Sequence, residues 1–146
     1  MTNYLSVILT LTILLVFSAV VRAEVSLLEN GKARIQIVAD VRGTTPAVRE
    51  ILMDAAGWVR KSLNRASGAT FMVAEDPGEA PSLIIGRVDA WPDVAQDAGL
   101  TSHKYDAYAI ATRSDERRVY VLGNSEEAAR FGVADLLRRW GFRRSK

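Results

Sequence analysis

The sequence predicts a two-layer α/β domain in which a mixed β-sheet is covered by two long helices. Three observations carry this fold class. Val48, Ile51, Leu52, Ala55, Val59 and Leu63 recur at helical spacing, and Ala129, Gly132, Val133, Leu136, Leu137 and Trp140 do the same near the C-terminus. Between the two stripes lie short apolar runs bounded by turn residues, such as Ser82 to Gly86 and Val119 to Leu122. Such runs are too brief for helices and read as buried strands, so strands alternate with long helices and one layer packs on the other.

Taken in order, the chain starts with a segment that stands apart. Leu5 to Val21 is almost unbroken apolar sequence, followed by Val21-Arg22-Ala23, a small-residue cleavage pattern. Residues 1–23 are therefore expected to be a signal peptide and 24–146 the exported domain, periplasmic or extracellular. The rival is an uncut membrane anchor, since the apolar run reaches the lower edge of a spanning length and no Lys or Arg precedes it. Membrane attachment is expected only in that case.

Ala33 to Ala39 begins with alternation and ends apolar, as a strand with at least one buried face does. Gly43-Thr44-Thr45-Pro46 then supplies a turn, a Thr cap and Pro at the first helical position. The first stripe follows and stops at Ser67-Gly68, with Gly where a helix C-terminus favours it. Gly57 within it costs about 1 kcal/mol relative to Ala, which the stripe must outweigh. Thr70 to Val73 and Ser82 to Gly86 are expected strands around the turn Glu75-Asp76-Pro77-Gly78, and Trp91 to Leu100 a short helix. Tyr105 to Thr112 and Arg118 to Leu122 read as strands joined through Ser114-Asp115-Glu116-Arg117. The closing helix starts at Asn124 or Ser125, and Asn124 with Glu127 three residues on fits a capping box.

The chain has 146 residues, 49% hydrophobic and 25% charged, which is one globular domain. Arg22 is the only charged residue before Glu24, so the exported part is close to neutral and carries no nucleic-acid footprint. Without cysteine, disulfides and thiolate metal sites are excluded.

No residue set gathers into a catalytic or cofactor site, and none is expected to hold a metal. His103, the single histidine, sits beside Thr101-Ser102 and Lys104 and reads as a solvated loop residue. Asp89, Asp93 and Asp97 would share a helix face, but Pro92 interrupts them and no EF-hand pattern is present, so a solvated face is the better reading. Gly123-Asn124-Ser125 joins a strand to a helix N-terminus but lacks the Lys and glycines of a phosphate-binding loop, and Gly123 reads as turn geometry. Glu75-Asp76, Asp115-Glu116 and Glu126-Glu127 are adjacent acids, whereas a glycosidase holds two carboxylates about 5 to 9.5 Å apart across a cleft. Arg138, Arg139, Arg143, Arg144 and Lys146 form a basic end; the first two answer the negative end of the helix dipole, and a polyanion-binding tail is the alternative. Phe131 resists so plain an account. At 100° per residue it points away from the core stripe, with Ala134 a turn on and Phe142 beyond, and together they read as a surface meant to be covered.

Tyr105-Asp106-Ala107-Tyr108-Ala109-Ile110, Val119 to Ser125, Arg130-Phe131-Gly132-Val133-Ala134-Asp135-Leu136-Leu137 and Trp140-Gly141-Phe142-Arg143 follow one another in a familiar order. The set resembles the N-terminal α/β domain that precedes the catalytic barrel in bacterial alpha-glucuronidases and family 20-type beta-hexosaminidases. Ala107 stands where that pattern has Gly, and Phe142-Arg143-Arg144 where it has Cys-Arg-Trp; with Ile84-Ile85-Gly86 and the helix before Ser67-Gly68, the likeness spans nearly all of 24–146. It implies a non-catalytic accessory domain of a secreted glycoside hydrolase that acts in polysaccharide breakdown. The barrel would be missing from this chain or separate, and Phe131, Ala134 and Phe142 would form the face that docks it. No glycosidase activity is expected of the chain alone, because fold-level likeness supplies no site. A free-standing or membrane-tethered module binding carbohydrate or protein through that face is the alternative.

Overall fold

The computed structural model describes residues 25–100 and 105–142; the leader, His103 and the basic residues after Phe142 lie outside them. The mixed sheet has five strands, β3 (Gln36–Ala39), β4 (Val73–Ala74), β5 (Ser82–Arg87), β6 (Tyr108–Arg113) and β7 (Arg118–Gly123), in the order β4-β3-β5-β7-β6. Only β6 runs antiparallel to its neighbour. A separate hairpin pairs β1 (Leu28–Glu29) with β2 (Lys32–Ala33). Two long helices, α1 (Pro46–Ser67) and α3 (Glu126–Arg139), and a short one, α2 (Pro92–Asp97), complete the domain.

Register explains why both faces of the inner strands are apolar. Ile37 aligns with Leu83 and Leu83 with Val119, and two residues on Ala39, Ile85 and Val121 align likewise. Both rows belong to the core under α1 and α3, together with Leu52, Ala55, Val59, Ala129, Val133 and Leu136. The intervening row, Val38, Ile84 and Tyr120, faces the other way and packs with Val94, Ala95 and Leu100 of and beside α2. A parallel strand covered on both sides has no polar face, hence the continuous apolar runs.

The local signals hold at most element ends. Thr45 accepts a hydrogen bond from the Val48 amide, Pro46 opens α1, and Gly68 closes it at φ 72°. A Cβ on Gly57 would meet nothing within 4 Å, so no close contact requires glycine there.

Four expectations need correction. The α3 cap is Ser125, whose Oγ accepts from the Ala128 amide. Asn124 is spent elsewhere: its side chain accepts from the Ala107 amide and donates to the Tyr105 carbonyl, tying β6 to the end of β7. Trp140 is not core, being 36% exposed, because the helix ends before it. Gly141 takes φ 86°, its amide bonds to Arg138 and that of Phe142 to Leu137, a Schellman turn that brings Phe142 back beside Leu137 in place of another helical turn. Strand β4 is only Val73–Ala74, because the Phe71 amide donates to Asn64 Oδ1 and its ring sinks into the core beside α1. Finally, Ala33 belongs to β2 rather than β3; the hairpin turns on Asn30 and Gly31, both at positive φ.

Candidate functional site

α1 and α3 follow the parallel strands β3 and β7 and return side by side over the same sheet face. Each helix carries two stripes. One, including Leu52, Ala55, Val59 and Leu63 on α1 and Ala129, Gly132, Val133 and Leu136 on α3, packs into the sheet. Gly132 lets α3 sit close, since a Cβ there would lie 2.7 Å from Val121 Cγ1 and 3.0 Å from Tyr108 Cδ2. The other stripe of each helix faces outward and toward its neighbour, and between the two runs a groove of about 900 Å³.

Phe131, Ala134 and Phe142 all line this groove, so the structure brings the three sequence-predicted residues together. Phe131 is 52% exposed and Ala134 is exposed as well. Phe142 is half-buried, part of its ring spent on the core edge with Leu137. The opposite wall comes from α1: Trp58, Lys61, Ser62, Arg65 and Ala66. Sequence reasoning missed that wall. Its i, i+3, i+4, i+7 spacing was available, but one Trp among Lys, Ser and Arg looks like an ordinary solvated face. Arg130, Leu137 and Arg138 complete the lining.

The rim is cationic. Arg130 pairs with Glu127 at 2.6 Å, and Arg138 and Arg139 both pair with Asp135, whose side chain is turned into the fold. These two guanidinium groups, with Tyr108 beside them, hold the Asp135 carboxyl down at about 2. A carboxylate whose folded value is depressed stabilises the fold at pH above its ordinary value, and that contribution disappears as pH falls toward the folded value. Thermal melts should therefore show a loss between about pH 4 and pH 2 that Asp135→Asn reduces. An unchanged acid profile in the variant would assign the loss to other groups.

Neither protein-family models nor curated proteins match the chain.

A second, smaller hollow of about 310 Å³ lies on the opposite sheet face, lined by Trp91, Arg113, Glu116, Arg118 and Tyr120 among others. Tyr120, Glu116 and Arg113 engage one another there. The Tyr120 hydroxyl donates to Glu116 Oε2 at 2.7 Å and Arg113 donates to Glu116 Oε1 at 3.2 Å, which holds the Glu116 carboxyl below its usual range. Burial pushes the Tyr120 hydroxyl up. Trp91 donates its indole N–H to Asp40 and lies edge-on to Tyr120 at 5.2 Å. This is a satisfied network that fixes α2 to the sheet.

The aspartates weighed as a cation site do not converge. Asp89 lies in the 3-10 turn Val88–Ala90 and pairs with Arg87, while Asp97 pairs with Arg113. Among the described residues no group of three or more His, Asp or Glu could hold a metal ion, and no helix is long and apolar enough to cross a membrane.

Proposed function

We propose that this chain is a non-catalytic accessory domain of an exported carbohydrate-active enzyme, and that the α1–α3 groove is the face packing against that enzyme's catalytic barrel. The observation that carries the proposal is the pair of exposed aromatics, Phe131 and Trp58, standing over a groove that also contains Ala134, Leu137 and Phe142. An apolar concavity of this size between two helices is a surface that gains by being covered. The resemblance in motif order to accessory domains of glycoside hydrolases supports the barrel as occupant.

The groove itself holds no glycosidase pair: its lining contains neither Asp nor Glu, whereas a glycosidase sets two carboxylates across its cleft.

Two substitutions on α3 separate docking from folding. Leu136 is 5% exposed in the core, so Leu136→Ala should cost about 2 to 5 kcal/mol in a denaturant melt. Phe131→Ser should shift stability by no more than about 0.5 kcal/mol, while reducing self-association in sedimentation. A large stability loss in Phe131→Ser would make Phe131 a core residue and end the docking reading. Hydrolysis of aryl-glucuronides or aryl-N-acetylhexosaminides by the purified chain, abolished by one Asp or Glu substitution, would overturn the non-catalytic assignment.

A further inference from the structure

Building on the docking reading, we infer that the occupant of the α1–α3 groove is an acidic amphipathic helical segment of about two turns, held by Lys61 and Arg65 on one wall and Arg130 and Arg138 on the other. Charge is what specifies it. The groove lining contains four cationic side chains and no Asp or Glu, although 25% of the chain is charged and acids nearly balance bases.

Helix dipoles account for only half of these cations. Arg65 and Arg138 lie in the last turns of α1 and α3, where a positive charge is favourable. Lys61 lies before the last turn of α1 and Arg130 beyond the first turn of α3, where the dipole gives a cation no support. Arg130 and Arg138 do have acidic partners, but Glu127 and Asp135 stand outside the lining. Among the described residues, Lys61 and Arg65 make no ion pair. The α1 wall thus offers two uncompensated charges beside an aromatic side chain.

The dimensions fix the length. Trp58 to Ala66 and Arg130 to Arg138 each rise about 12 Å, which is two turns of a helix laid alongside. A helix in a groove presents apolar anchors at i, i+3 or i+4, and i+7, and its flanks face the groove walls. Those anchors would meet Trp58, Phe131 and Leu137, and the flanks would bring Asp or Glu to the cationic rims. A concave surface between two helices takes a protruding element, whereas a flat lipid surface is met by side chains that project from a convex one.

The test is a selection of displayed helical peptides on the immobilised full chain, followed by affinity measurements on purified peptides. Peptides with apolar anchors at the stated spacing and flanking Asp or Glu are expected. Their affinity should fall about tenfold or more in Lys61→Glu/Arg65→Glu, fall less in Lys61→Gln/Arg65→Gln, and weaken as salt is raised. Peptides with Lys or Arg flanks should gain on the charge-reversed chain. Both α1 positions are exposed, so melts of the Gln variant should stay close to the parent, and the Glu variant should lose only the small dipole contribution of Arg65. Peptides lost with Phe131→Ser but indifferent to the charge variants would overturn the acidic occupant and leave the docking face standing. Peptides indifferent to all these variants would sink both readings. Charge-dependent binding to phosphatidylserine vesicles with no groove-dependent peptide would overturn the helical partner in favour of an anionic lipid surface.

Discussion

Gly123→Ala should cost about 3 kcal/mol or more, the largest loss expected from adding one methyl group to this domain. Gly123 ends β7 two residues before the Ser125 cap of α3. A Cβ there would lie 2.8 Å from the Ala128 carbonyl carbon and collide still harder with the Ala129 amide nitrogen and the Ser125 carbonyl oxygen. All three are backbone atoms of the first helical turn, so no rotamer change relieves the clash. The turn would have to open, taking with it the Ala129–Ser125 helix bond and the Asn124 contacts to β6. Gly123 is not at positive φ, so close approach of helix to strand requires the glycine, and left-handed geometry does not. Gly57→Ala is the control: with open space around it, the substitution should gain up to about 1 kcal/mol. Urea unfolding of both variants decides the point, and a Gly123→Ala chain as stable as the parent would refute the packing account.

Asp40→Ala should lose about 3 kcal/mol in the same assay. The carboxylate, at the end of β3, has no exposed side-chain surface. It accepts from Trp91 Nε1 at 2.8 Å and from Arg42 Nε and Nη2 at 2.8 and 2.7 Å. This pairing raises the Arg42 value above its ordinary range. Without the carboxylate, the Trp91 N–H loses its acceptor and Arg42, about half exposed, must be solvated by water alone. Trp91 also packs on Tyr120, so the damage should reach the attachment of α2. Asp40→Asn keeps an acceptor for the indole and should lose less; equal losses would assign the whole effect to charge.

Legibility from sequence followed the reach of the interactions. Helix α1 could be read from its stripe and from Thr45, Pro46 and Gly68, because each of these signals acts within a turn. Strands β5 and β7 could be read as apolar runs, although their pairing with each other across the sheet could not. The hairpin at Asn30-Gly31 bore a local signal, while its separation from the main sheet depended on contacts no local pattern encodes. Asn124 failed as a cap because its side chain is claimed by Ala107 and Tyr105, which are remote in sequence. Half of the candidate site was visible for a similar reason. Phe131 is anomalous on its own helix, but Trp58 becomes a wall only when α1 lies beside α3.

The order of strands in the sheet also says something about how the domain assembles. Residues 36–74 form one unit, β3–α1–β4, and residues 108–139 form another, β6–β7–α3. The β6–β7 hairpin closes within a few residues, whereas Ile37 and Val73 of the first unit stand as far apart in sequence as Ser82 and Arg118. Within the sheet neither reaches the other except through β5, although α1 and α3 also meet above it, and Ser82 must find Gln36 on one edge and Arg118 on the other. Chain entropy is spent on every parallel alignment before its contacts repay it, and most on that of β5 with β3, the longest of the three. The strand that looks most ordinary in the finished sheet is the seam along which two half-formed lobes are zipped into one.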